Sequence, residues 1–424
     1  MIIKQFKVLN MKKTSSYIIN APILLALAIV VFMQSSCKKD ANVGSGNPVI
    51  TQVRAYAASP NDSVLKAANP GNYVVLQGSH FTGVKQVYFD GVAASLNNAL
   101  GSDNSLPVKV PAIPFATLNQ AKLNTITVVT ATGQVTYSFP VVPLATVITS
   151  MSNEDALPRE TVTVYGSNFF YIDKVILPGG ITVSSGIVTN DLGTTLTFTV
   201  PQGATTGGPI QVVNRYGTGT SVLLFDDFVT GVATNFDAIN NYSWGLSSNP
   251  TNSSTAYPGN TGYYAVLNAS SIPANDFAWY DGGRSINLNP TQWVPVADLS
   301  DNPANWALKF EIDVPAATPW VNGSIYIVNN YTWTYLAAYE PWKNSDGTTT
   351  PFVTNGCQTV VIPLSNFKTT PSGGADGSGS PLPSLTDLLG PTGNGSISIM
   401  FINAGTTVVN NFTVAIDNIR VEKY

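Results

Sequence analysis

All seven tryptophans of the chain, at positions 244, 279, 293, 306, 320, 333 and 342, lie beyond residue 225. Several sit in loop-like runs of neutral residues: Trp279-Tyr280-Asp281-Gly282, Pro319-Trp320, Asn330-Tyr331-Thr332-Trp333-Thr334-Tyr335 and Tyr339-Glu340-Pro341-Trp342. An indole or phenol ring offers a flat apolar face to the C–H face of a sugar, while nearby amides and hydroxyls bind its hydroxyl groups. The chemistry these residues suit is non-covalent capture of polysaccharide. Trp279, Trp320, Tyr331, Trp333, Tyr335 and Trp342 are therefore the candidate contact residues. Residues 331, 333 and 335 are two apart, so a strand there places all three rings on one face.

Other chemistries fare worse. Jelly-roll glycosidases use two glutamates in an E-x-D-x-x-E strand, but here the segment reads Glu311-Ile312-Asp313-Val314-Pro315-Ala316, and the second glutamate is missing. The only histidine, His80, lies far from the tryptophans in sequence, which leaves the C-terminal region without an imidazole for a nucleophilic triad or a zinc site. No enzyme activity is expected. Asp226, Asp227 and Asp417 are candidates to share a structural Ca²⁺ if the two ends of the C-terminal region pair; Asp227 and Asp417 are its principal ligands. Otherwise no cofactor is expected. Charged residues make up 10% of the chain and the net charge is −4, so the basic footprint of a nucleic-acid binder is missing. A protein-binding adhesin is the remaining alternative, since aromatic loops also serve protein interfaces.

The N-terminus reads as an address. Lys12 and Lys13 precede an apolar stretch from Ile18 to Phe32, followed by Gln34-Ser35-Ser36-Cys37. Charged region, short apolar region, small residues and then cysteine is the order of a bacterial lipoprotein signal. The apolar run falls short of the roughly 20 residues of a spanning helix. Cleavage before Cys37 frees its thiol for a diacylglycerol, and more than one acyl chain makes the membrane anchor stable. Residues 1–36 are then the signal peptide and 37–47 a polar leash. With Cys37 acylated, Cys357 has no partner for an intrachain disulfide.

Short alternating runs separated by Gly, Asn and Asp turns fill residues 48–143 and return in 144–225. The two stretches align: Val49-Ile50-Thr51 with Val147-Ile148-Thr149, Gly78-Ser79-His80-Phe81 with Gly166-Ser167-Asn168-Phe169, and Val110-Pro111 with Val200-Pro201. This is an internal duplication. Gly78 and Gly166 are expected to permit turns of positive φ. Residues 226–424 carry further strand-like runs: 263–267, 306–314, 324–328, 331–337, 359–363, 396–403 and 412–421. In the segment 306–314, Trp306, Leu308, Phe310, Ile312 and Val314 alternate with polar or small residues, so one face packs a core that includes Trp306. The expected architecture is all-β: two tandem immunoglobulin-like sandwiches, then a larger jelly-roll-like sandwich opening near Asp227 and Phe228. The last of these is expected to fold alone.

The pattern G-[ST]-x-F, then V-P, then Gly208-Pro209-Ile210-Gln211-Val212-Val213-Asn214 and Gly217, resembles the IPT/TIG immunoglobulin-like fold. Two such units between a lipoprotein signal and a tryptophan-rich module ending in Ala415-Ile416-Asp417-Asn418-Ile419 resemble the surface glycan-binding proteins of starch-utilisation-like systems. The likeness is greatest to those with a C-terminal xyloglucan-binding domain. The resemblance implies an outer-membrane location facing outward, a TonB-dependent glycan transporter as partner, and xyloglucan or another plant β-glucan as ligand.

Overall fold

The computed structural model describes residues 46–244, 256–257, 262–280 and 282–424. Cys37 and the signal segment lie outside the described residues, as does Asp281. The chain is nearly all β and forms two compact units, one ending in Asn124–Pro140 after a first stretch to Pro111, the other made of Ala112–Leu123 and Val141–Tyr424.

The first unit is a sandwich. One sheet runs in the order Val49–Ala55, Tyr73–Ser79, Ser105–Lys109; the other runs Val92–Ala93, Gln86–Phe89, Thr125–Val129, Gln134–Ser138. The second unit begins with a sandwich of the same plan, its sheets ordered Val188–Thr189, Thr195–Thr199, Thr161–Ser167, Val147–Met151 and Thr182–Val183, Ile172–Ile176, Gly208–Asn214, Gly217–Phe225. The duplication reaches down to register. Ile50 faces Gly78 just before a bulge in one copy, and Ile148 faces Gly166 just before a bulge in the other.

Those two glycines correct the sequence reading. Neither has a positive φ; the left-handed residues are His80 (φ 60°) and Asn168 (φ 62°), two positions later. Glycine is needed because a Cβ on Gly78 would lie 1.8 Å from the Val49 carbonyl oxygen, and one on Gly166 would lie 1.9 Å from that of Val147. The closure of each strand pair leaves no room for a side chain.

The C-terminal sandwich has two five-stranded sheets. In the first, Val232–Thr234, Val409–Lys423, Trp306–Asp313 and Gln358–Pro363 follow one another, and Ala265–Ile272 also pairs with the long strand Val409–Lys423. In the second the order is Tyr242–Trp244, Ser285–Leu288, Ile397–Ile402, Ser324–Asn329, Leu336–Tyr339. Leu308, Phe310 and Ile312 from one sheet meet Ile286, Ile327, Ile399 and Phe401 from the other in a shared core. The opening strand is Val232–Thr234, a few residues later than the expected position at Asp227 and Phe228.

Strict alternation in Trp306–Asp313 puts Trp306, Leu308, Phe310 and Ile312 in the core, yet the polar face is buried too. Its Lys309 and Glu311 join an ion-pair network that ties this domain to the immunoglobulin-like sandwich before it. The Lys309 Nζ donates to both oxygens of Glu154, at 2.9 and 3.0 Å, and to Glu422 Oε1 at 2.7 Å. The Arg420 guanidinium donates to Glu154 Oε2 at 2.8 Å and to both oxygens of Glu311 at 2.8 and 3.1 Å. The side chains of Lys309, Glu154, Glu311 and Arg420 are all at most 2% exposed.

Carboxylates outnumber cations at this joint. Glu154, Asp155, Glu311 and Glu422 face Lys309 and Arg420, and Asp417 stands beside them. Burial raises the Asp155 carboxyl well above the ordinary range, with Glu311 adding to it, and raises Glu422 as well. Burial pushes Asp417 up to about 8. In the linker just ahead of the domain, burial and then Asp227 push Asp226 up to about 6. Groups with raised folded-state values hold protons that the unfolded chain has released, so their effect is loss of stability as pH climbs. The melting temperature of the second unit is accordingly expected to fall between about pH 5 and pH 8, most steeply below the Asp417 value. Thermal scans across that window check it, and a rise with pH contradicts it.

Candidate functional site

The outer face of the second sheet, turned away from the shared core, carries a small apolar cluster of Tyr326, Val328, Leu336, Met400 and Ile402. Trp279 packs against this cluster and remains half-exposed. Its ring is one corner of a triangle of aromatics. Trp279 and Tyr331 are 6.0 Å apart and nearly parallel at 23°; Trp244 and Tyr331 are 6.1 Å apart at 19°; Trp244 and Trp279 are 5.7 Å apart at 41°. Tyr280 extends the set edge-on from Trp279 at 5.8 Å. Trp244 is 41% exposed, Tyr331 39% and Tyr280 63%, so the cluster presents open ring surface to solvent.

Each ring is held by local structure. Trp244 ends the edge strand Tyr242–Trp244, and its carbonyl accepts a bond from Asn287 Nδ2 at 3.1 Å. Trp279 and Tyr280 ride on a turn that Asp276 fastens: its Oδ1 accepts from the Ala278 N–H at 2.8 Å, while its Oδ2 accepts from Arg284 Nη1 at 3.2 Å. Those bonds to the ionised carboxylate hold it below the usual carboxylate range, with the Ala278 N–H as the largest influence and burial opposing. Tyr331 stands in a turn where Asn330 (φ 50°) and Tyr331 (φ 54°) are both left-handed. The Asn330 side chain accepts from the Ser396 N–H at 2.8 Å, and Thr332 bonds back to the Asn329 carbonyl.

That turn corrects the strand expected over residues 331–337. The strand spans Leu336–Tyr339, so Tyr331, Trp333 and Tyr335 do not share a strand face. Two consecutive αL residues reverse the chain first, and the alternation in the sequence has no pleat to ride on. Tyr331 joins the aromatic triangle, Trp333 is 38% exposed, and Tyr335 packs against the core. Trp342 also packs against the core and donates its Nε1–H to the Gly323 carbonyl at 2.8 Å. Trp320 is 2% exposed, ringed by Tyr339, Phe352, Phe401 and Phe412, with Nε1 on the Asn322 carbonyl at 2.9 Å. It is a core residue, because its loop folds back into the sandwich and a bulky indole gains most when fully buried. Trp244 was not among the residues singled out from sequence, although the structure puts it at the centre of the exposed set.

The acidic candidates do not assemble either. Asp227 Oδ1 accepts from the Val229 and Thr230 N–H groups at 2.9 Å each, capping a turn, while Asp417 accepts from the Asn418 N–H at 2.8 Å within the buried joint. Among the described residues no group of three or more His, Cys, Asp or Glu side chains is arranged to hold a metal ion. Glu311, the one residue of the glycosidase-like segment suited to catalysis, is 2% exposed and bound to Arg420.

Hollows are also present elsewhere: one of about 460 Å³ is lined by Val222, Leu224, Trp293, Trp306 and Lys423, one of about 740 Å³ by Leu299, Asn302, Leu382 and Thr386, and one of about 570 Å³ by Arg159, Tyr165, Asn355 and Gln358. The exposed rings of the aromatic triangle suit a ligand that lies across them, whereas a small molecule favours an enclosing pocket.

The chain thus carries an exposed aromatic platform on a β-sandwich, preceded in sequence by immunoglobulin-like domains. Residues 226–423 match the family model of the surface glycan-binding protein B xyloglucan binding domain. An IPT/TIG domain-containing protein of Bacteroides ovatus is 28% identical over 170 residues, 39% of this chain and 34% of the relative. The match thus spans about a third of the relative's length. The crystal structure of surface glycan-binding protein PbSGBP-B from Prevotella bryantii superposes with a TM-score of 0.66 at 23% identity, covering 89% of this chain and 99% of that one. The corresponding protein from a complex xyloglucan utilization locus of Bacteroides uniformis gives a TM-score of 0.50 at 20% identity, with the same coverage. These structures share the fold. The family model describes a binding domain, in line with the sequence reading of no enzyme activity.

Proposed function

We propose that the chain is a cell-surface lipoprotein that captures xyloglucan, or a plant β-glucan of similar backbone, on the platform of Trp244, Trp279 and Tyr331. The observation that carries this reading is the coincidence of an exposed, mutually packed ring set with the region that matches the xyloglucan binding domain model. A pyranose lying on such rings exchanges water-exposed aromatic surface for C–H contact. Anchoring through a lipid on Cys37 leads to the outer membrane, and a TonB-dependent transporter is the partner that takes up what the platform holds. The order of signal segment, two immunoglobulin-like domains and binding module supports that arrangement.

The test is retention of the full chain in xyloglucan-containing native gels, read beside an uncharged non-glycan gel. Retardation in xyloglucan alone supports the reading; equal mobility in both refutes it. For the anchor, Cys37→Ala is expected to move the protein from the membrane fraction to the soluble fraction, because acylation has no other thiol near the cleavage site. Continued sedimentation with membranes contradicts the lipid anchor.

A further inference from the structure

The sheet beneath the platform carries polar groups that no described residue satisfies. Trp244, Asn287, Ser398 and Val328 follow one another across four neighbouring strands at one level. Ile286, Leu288, Ile397 and Ile399 point into the shared core, so Asn287 and Ser398, which alternate with them, belong to the outer face. Both are fully buried. The Asn287 amide nitrogen is fully engaged, donating to the Trp244 carbonyl at 3.1 Å and to Ser285 Oγ at 3.0 Å. Among the described residues its Oδ1 has no partner, and neither does Ser398 Oγ. Ser396, just ahead of that strand, likewise has no partner for its Oγ among the described residues. Buried oxygens without partners are rare in folded proteins and mark sites completed by water or by ligand.

We infer that Asn287 and Ser398 form a polar floor that selects a ligand donating hydroxyl hydrogens, that is, a neutral sugar with free hydroxyls; this rests on the platform reading above. Oδ1 can only accept, so its complement is an O–H or N–H donor. A uronate carboxylate or a sulfate offers acceptors alone and faces this oxygen with repulsion. Arg284, just ahead of the strand that carries Asn287, also keeps its Nε and Nη2 without partners, but its charge is already matched by Asp276 at 3.2 Å. The site therefore presents donors and acceptors with no net positive charge for an anion. A pyranose diol supplies both roles at once, since each hydroxyl donates and accepts. Trp279 packs against the apolar cluster on this face, which includes Val328, the cross-strand partner of Ser398, and the inferred site requires that ring to move aside for the sugar edge.

The experiment is titration of the full chain with three probes: a xyloglucan oligosaccharide, its O-methylated form and a galacturonate oligosaccharide. Wild type is expected to bind the unmodified probe at least about tenfold more tightly than the methylated one, because a site built to hydrogen-bond a hydroxyl rejects analogues lacking it, and to bind the galacturonate, which keeps ring hydroxyls but adds carboxylates, more weakly than the unmodified probe. Ser398→Ala is expected to weaken binding of the unmodified probe about tenfold and to narrow its preference over the methylated probe, with the melting temperature held or raised. Removing a polar group that has no partner takes nothing from the fold. Ser398→Ala removes a single oxygen and leaves the Asn287 bonds to Trp244 and Ser285 in place. Unchanged affinity and unchanged preference in Ser398→Ala overturn the inference. Trp279→Ala separates the two levels: if it weakens binding while Ser398→Ala does not, only the floor falls; if it too binds as wild type, the platform falls with it.

Discussion

Replacing Glu154 with alanine is expected to destabilise the second unit by about 3–5 kcal/mol, because it leaves buried cations without their shared counter-ion. The Glu154 carboxylate takes both of its oxygens to Lys309 and one of them also to Arg420, and every side chain involved is at most 2% exposed. Glu422 remains beside Lys309 at 2.7 Å and Arg420 at 3.9 Å, and Glu311 beside Arg420, but neither takes the place of the Glu154 oxygens between the two cations. The loss exceeds that of a surface pair, which is generally at most about 1 kcal/mol. The Glu154 backbone adds to the joint, its N–H donating to Thr359 Oγ1 at 2.7 Å and its carbonyl accepting from the Asp226 N–H at 2.8 Å. A fragment beginning at Asp226 lacks Glu154 and Asp155 altogether, so it is expected to melt well below the full chain. Denaturant unfolding of Glu154→Ala measures the effect; a change under about 1 kcal/mol contradicts the account of the joint.

Trp320→Ala is expected to remove about 3–5 kcal/mol of folding free energy, the range for truncating a fully buried aromatic. The indole fills the space between Phe401, Phe412 and Tyr339, at centroid distances of 6.0, 5.3 and 5.8 Å, and no ligand can reach it. Glycan affinity of the folded fraction should be unchanged. Guanidinium unfolding beside a titration at low temperature reads both quantities; loss of affinity without loss of stability would return Trp320 to the binding face.

Much of the architecture is legible in the sequence, because it depends on local pattern. The alternation of Trp306, Leu308, Phe310 and Ile312 specifies a strand and its core face, and Trp306 is 5% exposed as expected. The paired motifs around Gly78 and Gly166 specify a repeat whose strand registers coincide. What escapes is set by contacts distant in the chain. Tyr242–Trp244 is a three-residue strand with no periodicity of its own, and it exists through pairing with Ser285–Leu288. Tyr331 reaches Trp244 only because of two left-handed residues that alternation does not reveal. Asn153-Glu154-Asp155 has the composition of a solvated turn, and only the approach of Lys309 and Arg420 turns it into a buried joint. Trp320 and Trp342 follow prolines and read as loop residues, but their loops fold inward and bond the backbone at 322 and 323.

Titration of a xyloglucan oligosaccharide into the full chain and into Trp244→Ala and Tyr331→Ala tests the central claim most directly. Both side chains are about two-fifths exposed and lie outside the shared core, so their removal should leave the melting temperature near that of wild type. Each should weaken binding about tenfold or more, the equivalent of roughly 1.4 kcal/mol of lost ring contact. Wild-type affinity in both variants would contradict the placement of the glycan on this platform.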